Sequence, residues 1–142
     1  MAQSLQICSI DPDVKEKLKK FKFRKEKTIA AIILKIDPEK LTVIIDEEYE
    51  DCTIDEVQGE LSSSQPRYAV ISYINTHSDG RVSYPLIFIF CSPLGCKPEF
   101  QMMYAGSKLA VVDAAKATKV FDIRNPEDLT EEFIKEKLQF FK

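Results

Sequence analysis

The spacing of apolar residues changes several times along this chain, and each change marks an element. Val14, Leu18 and Phe21 recur at helical spacing behind Asp11-Pro12. Asp11 suits the N-cap and Pro12 the first turn, so a helix is predicted that fades between Lys22 and Arg24. Residues 28–36 (TIAAIILKI) are apolar and β-prone. Asp37-Pro38-Glu39-Lys40 is a turn, and residues 41–45 form a second run. Together they predict an antiparallel hairpin. Thr53-Ile-Asp-Glu56 is a capping-box pattern opening a short helix with Ile54, Val57 and Leu61 apolar. Residues 62–66 read as a loop. Residues 67–74 (RYAVISYI) predict a third strand and residues 81–91 a fourth. The turn between them contains Asp79-Gly80, a hairpin signal. Leu86-Ile-Phe-Ile-Phe90 is apolar on both faces, which predicts a central strand covered on both sides.

Beyond Pro98 the pattern predicts about five turns of helix, to residue 118. A short strand, residues 119–124, would lie parallel to the fourth through a right-handed crossover. Asn125-Pro126 would cap a last helix with Leu129, Phe133, Ile134, Leu138 and Phe141 apolar. The order predicts a single α/β (α+β) domain over residues 1–142, a mixed sheet sandwiched between helices. No repeat, linker or low-complexity tract interrupts it.

The long helix carries apolar residues on two faces. At ~100° per residue, Phe100, Met103, Tyr104, Ser107, Val111, Ala114 and Thr118 fall on one side, suited to a sheet. Met102, Ala105, Leu109, Val112, Asp113 and Lys116 fall on the other. An outward stripe with three large apolar residues needs a cover, either another element of the fold or a partner protein. The remaining elements leave no obvious candidate within the chain.

Composition narrows the class. A chain of 142 residues, 44% hydrophobic and 30% charged, can bury a core of its own and reads as a soluble globular domain. No apolar run approaches ~18 residues, so no membrane span is expected. No signal peptide is visible in Met1-Ala-Gln-Ser-Leu-Gln-Ile-Cys8. Cys8, Cys52, Cys91 and Cys96 then read as reduced thiols in the cytosol. A pI of 5.3 argues against nucleic acid as a partner. The charge is segregated: residues 15–27 hold eight Lys/Arg against two acids, a net +6, leaving −9 for the rest of a chain of net −3. Residues 46–60 hold eight acids and no base. A positive end of this kind can orient against an acidic protein, or can simply be a solvated helix.

Catalytic chemistry finds little footing. His77, the one histidine, sits at a hairpin tip. Cys91-x4-Cys96 lacks the spacing and the second ligand pair of a zinc site, and Cys91 reads as a small core residue. Neither GxxxxGK[ST] nor GxGxxG is present. Residues 46–51 lack the spaced ligands of an EF-hand and read as a solvated turn. A recognition surface without metal or cofactor is therefore preferred over an enzyme built on Cys96 and His77.

Four blocks carry a resemblance: Gln101-Met-Met-Tyr-Ala-Gly-Ser-Lys108, Leu94-Gly-Cys-Lys-Pro-Glu, Arg81-Val-Ser-Tyr-Pro-Leu and Lys119-Val-Phe-Asp-Ile-Arg. With them the chain resembles the glia maturation factors, a subgroup of the ADF/cofilin-like (ADF-H) domains, from Ser4-Leu5 to Phe140-Phe141. The resemblance implies a single ADF-H domain with a mixed five- to six-stranded sheet and helices on both faces. It implies a monomeric, non-enzymatic protein of the cytoplasmic actin cytoskeleton, at the cell cortex or leading edge, with the nucleus as a second location. It would bind the actin-related protein 2/3 complex, inhibit branch nucleation and promote debranching, without cofactor, nucleic acid or membrane.

In such domains the long helix enters an apolar cleft at the barbed end of an actin fold, with the N-terminus beside it. Carried onto this chain, Met102, Ala105, Leu109 and Val112 enter the cleft. Lys108 and Lys116 stand at its rim, and Ser4 and Leu5 flank it. The loop Asn75, Thr76, His77, Ser78, Asp79, Gly80 and Arg81 matches a second site, toward the first actin of the daughter filament. Two departures from cofilin matter. Glu99 and Gln101 stand where actin-binding relatives carry cations, and Val112, Asp113 and Ala114 replace a lysine cluster. Both weaken attraction to acidic actin, so cofilin-like monomer or filament binding and severing is the alternative. Ala2 stands where serine is common among relatives, which leaves Ser4 as the N-terminal phosphorylation candidate. A phosphate there adds up to about two negative charges beside the helix.

Overall fold

The computed structural model describes residues 9–23, 28–61, 64–76 and 79–139. Its main sheet has six strands. In chain order these are β1 (Ser9–Ile10), β2 (Ala30–Asp37), β3 (Thr42–Tyr49), β4 (Arg67–Ser72), and, after a separate two-stranded sheet of β5 (Asn75–Thr76) and β6 (Val82–Ser83), β7 (Leu86–Cys91) and β8 (Lys119–Ile123). The spatial order is β1-β3-β2-β4-β7-β8. The two outer pairs, β1 with β3 and β7 with β8, are parallel, and the inner pairs are antiparallel. The helices are α1 (Pro12–Lys22), α2 (Ile54–Glu60), α3 (Pro98–Ala115) and α4 (Glu131–Gln139).

Residue parity decides which helices cover which face. Register pairs Ile32 with Val70 and Val70 with Phe88, so even positions of β2, β4 and β7 share a face. That face packs under α1, through Val14, Leu18 and Phe21, and under α3, through Tyr104, Val111 and Ala115. The odd positions, among them Ile33, Ile71, Ile87 and Ile89, pack under α2 and α4. All six residues of β7 are buried, which is why that strand reads as an unbroken apolar run. Helices on both faces of a mixed sheet match the expected α+β architecture.

Local signals act where the sequence places them. Asp11 accepts the Asp13 N–H at 2.9 Å and starts α1. Thr53 and Glu56 exchange both capping-box hydrogen bonds, at 3.2 and 3.0 Å.

Several expectations are corrected. Residues 46–49 belong to β3 rather than to a turn. Asp46 falls at a register irregularity opposite Ile33 and Leu34, and its carboxylate meets Lys35 at 3.5 Å and Arg67 Nε at 3.2 Å. The expected strand 81–91 is split at Pro85, which has no N–H to donate. Its first part pairs in the small sheet, and the Pro85 carbonyl accepts from Tyr73 N–H at 3.1 Å. Asn125 caps a 3-10 turn, Pro126–Asp128, rather than α4. The α4 helix follows Thr130, whose hydroxyl accepts the Phe133 N–H at 3.0 Å. The two-residue strand β1 has too few residues to show a period. Phe141 lies outside the described residues.

Candidate partner-binding surface

The α3 helix is anchored before it is exposed. Pro98 occupies its first turn, and Lys97 precedes it without a side-chain cap. Gln101 Nε2 donates to the buried Ser92 Oγ at 3.1 Å, tying the first turn to the end of β7. Tyr104 is held through both of its oxygens. Its hydroxyl accepts the Ile36 N–H at 2.9 Å, and its carbonyl accepts the Tyr68 hydroxyl. Burial pushes the Tyr104 phenol pKa up, opposed by the Ile36 hydrogen bond and by Arg67. Ser107, fully buried, is small enough to let the helix lie close to the sheet. Lys116 caps the helix in a left-handed conformation, φ 56, and the last helical residue, Ala115, falls three residues before the expected limit of 118.

On the side turned away from the sheet, Met102 is 60% and Leu109 78% exposed, with Ala105 exposed between them. Val112 does not join them. It is half-buried and packs against the core beneath α1 and α3, because it lies at the flank of the helix rather than on its crest. Lys108 is also less free than expected. Its ammonium meets Asp122 of β8 at 2.6 Å and stands 5.9 Å from the centre of the Phe90 ring, with its side chain only 22% exposed. Lys116 pairs with Asp113 at 3.3 Å and stays in solvent at the rim. Glu99 is exposed.

The second predicted surface is part of the small hairpin. Asn75 and Thr76 form β5. Asp79 receives the Arg81 N–H at 3.1 Å and Arg81 Nε at 2.7 Å. Gly80 has φ 93, a conformation L side chains rarely adopt. His77, Ser78, Ser4 and Leu5 lie outside the described residues. Exposed apolar residues that had not been singled out as a binding surface include Val82 in β6, Tyr84 just after it, and Leu94 in the connection from β7 to α3. A strand pattern made Val82 and Tyr84 look interior, and Leu94 sits in no periodic segment.

Cys91 is a buried core thiol, as expected. Burial pushes its pKa up to about 12, with Asp128 and Cys96 adding to the effect, so it is a poor nucleophile. Among the described residues no group of three or more His, Cys, Asp or Glu is placed to hold a metal ion. None of the described helices is long and apolar enough to cross a membrane.

Residues 7–139 match the family described as cofilin/tropomyosin-type actin-binding protein. Glia maturation factor beta of Homo sapiens is 60% identical over 141 residues, 99% of each chain. Glia maturation factor of Drosophila melanogaster is 48% identical over 134 residues, 94% of this chain and 97% of that one. The solution structure of glia maturation factor from Caenorhabditis elegans superimposes with a TM-score of 0.82 at 43% identity, covering 96% of this chain and 99% of that chain.

Proposed function

The chain belongs to the cofilin/tropomyosin-type actin-binding family, in its glia maturation factor branch, and from that premise we propose that it binds the actin-related protein 2/3 complex, inhibits branch nucleation and promotes debranching. Regulation of actin is what the family does, and the family is not one of enzymes. The finer assignment rests above all on the exposed pair Met102 and Leu109 on a helix fixed to the sheet. A rigid helix with an apolar crest suits an apolar cleft between the subdomains of an actin fold.

Energetics require more than this crest. Covering Met102 and Leu109 fully yields roughly 1.5–3 kcal/mol each. A micromolar complex needs about 8 kcal/mol net. Contacts from Ser4 and Leu5, and from residues 75–81 toward the daughter filament, supply the remainder in this proposal. Val112 adds little, since it is already half-buried, and Lys108 is already neutralised by Asp122. Lys116, paired with Asp113 at 3.3 Å but well exposed, is the more accessible cation at the rim. The acidic Glu99 and the internally engaged Gln101 disfavour the cofilin-like alternative, which needs cations at that end of the helix. The cytoplasmic actin cytoskeleton, at the cortex or leading edge, is where such an activity would operate.

Co-precipitation with the purified complex tests the assignment. Leu109→Asp is expected to abolish capture of the complex while leaving the melting temperature nearly unchanged, because the side chain is 78% exposed. Stoichiometric pelleting of the unaltered chain with unbranched filaments would instead favour the cofilin-like mode.

A further inference from the structure

A groove of ≈ 670 Å³ runs between α1 and α3, on the flank of α3 that faces α1. Its size lies within the range of about 300–1,000 Å³ typical of specific binding sites. The accessible apolar lining is the half-buried Ile10, Ala110 and Ala114 with the exposed Phe23, and the core residue Leu18 lies against it. The rim is cationic: Lys15, Lys19 and Lys22 from α1 and Lys116 at the C-cap of α3, against the single carboxylate of Asp113, which pairs with Lys116.

The α1 lysines divide by role. Lys17 meets Glu48 and Lys20 meets Glu16, each at 3.4 Å. Lys15 and Lys19 are exposed, and no ion pair ties either to a carboxylate among the described residues. Lys22 lies over the Phe23 ring, 5.3 Å from its centre, at one end of the groove. The solvated-helix explanation accounts for Lys17 and Lys20. It gives no reason for Lys15 and Lys19, without an ion pair among the described residues, to stand beside an apolar trough.

We propose that this groove docks an acidic amphipathic peptide segment of a partner protein, with apolar side chains on the floor and carboxylates against the lysine rim. A peptide suits the shape better than a lipid surface. The accessible apolar atoms, on the half-buried Ile10, Ala110 and Ala114, are flanked by long lysine side chains, so a ridge of side chains reaches them and a flat interface does not. Lysine stems line the walls while their ammonium groups stay in water, where a partner's carboxylates are found. The groove shares Lys116 with the rim of the Met102–Leu109 surface, but Lys15 and Lys19 belong to the groove alone, so substitutions there test it independently of binding to the branch complex.

The test uses the full chain and a fluorescein-labelled synthetic peptide of about 15 residues, with Leu at i, i+3, i+4 and i+7 flanked by Glu. Fluorescence anisotropy should show binding that weakens as salt rises from about 50 to about 200 mM. The double variant Lys15→Glu, Lys19→Glu should weaken it at least about tenfold, and Leu109→Asp should not change it. Amide shifts in the unaltered chain should move at Ala110 and Ala114, a readout that needs no variant. Equal binding of a polyglutamate of the same charge would overturn the proposal, as would a double variant that binds normally. Binding to phosphatidylserine vesicles but not to the peptide would assign the groove to membranes instead. Concentration-dependent sedimentation of the chain alone, lost in the double variant, would assign it to a second copy.

Discussion

Tyr104 shows how a single side chain fixes the geometry that a partner would meet. Its hydroxyl takes the N–H of Ile36, 68 positions away in sequence. Its ring stands 5.3 Å from that of Tyr68, whose hydroxyl bonds the Tyr104 carbonyl. Tyr104→Phe keeps the ring and removes the acceptor, leaving a buried N–H without a partner. The expected loss is about 1–3 kcal/mol in urea denaturation. That Tyr104 faces the sheet was legible from helical spacing. Its two bonds were not, because no local pattern encodes a contact between a helix and strands far from it in sequence. Lys108 was misjudged for the same reason: its partner, Asp122, is brought in by the parallel pairing of β7 and β8.

The α3 helix presents one anchored face, one exposed crest and two flanks, and a two-sided division hides the flanks. Leu109 lies on the crest and Val112 on a flank against the core. The two respond differently to the same change. Val112→Asp places a charge in an apolar contact and is expected to cost about 1–3 kcal/mol of stability, against almost nothing for Leu109→Asp. Paired thermal melts check this, and equal losses would mean that Leu109 is also part of the core. Strands were legible where apolar runs were uninterrupted, as in β2, β4 and β7. They were misread where a proline or a bulge intervened. Pro85 splits one expected strand, and the irregularity at Asp46 carries β3 through an acidic stretch that looks like a turn.

The chain as a whole separates its charges and its surfaces. The order of elements and the two-sided covering of the sheet follow from apolar periodicity, whereas the strand order β1-β3-β2-β4-β7-β8 depends on non-local pairing and emerges only in three dimensions. The basic α1 and the crest of α3 are spatial neighbours but point to different tasks: a lysine-rimmed groove between the helices, and an apolar ridge beside it. Both rest on the same rigid helix, so a partner could engage either without rearranging the sheet.

Real-time imaging of branched actin networks, with branch loss counted as this chain is added, bears most directly on the proposed activity. Branches are expected to dissociate faster with the unaltered chain and at the basal rate with Leu109→Asp, while unbranched filaments stay intact. Severed filaments with an unchanged rate of branch loss would contradict the account.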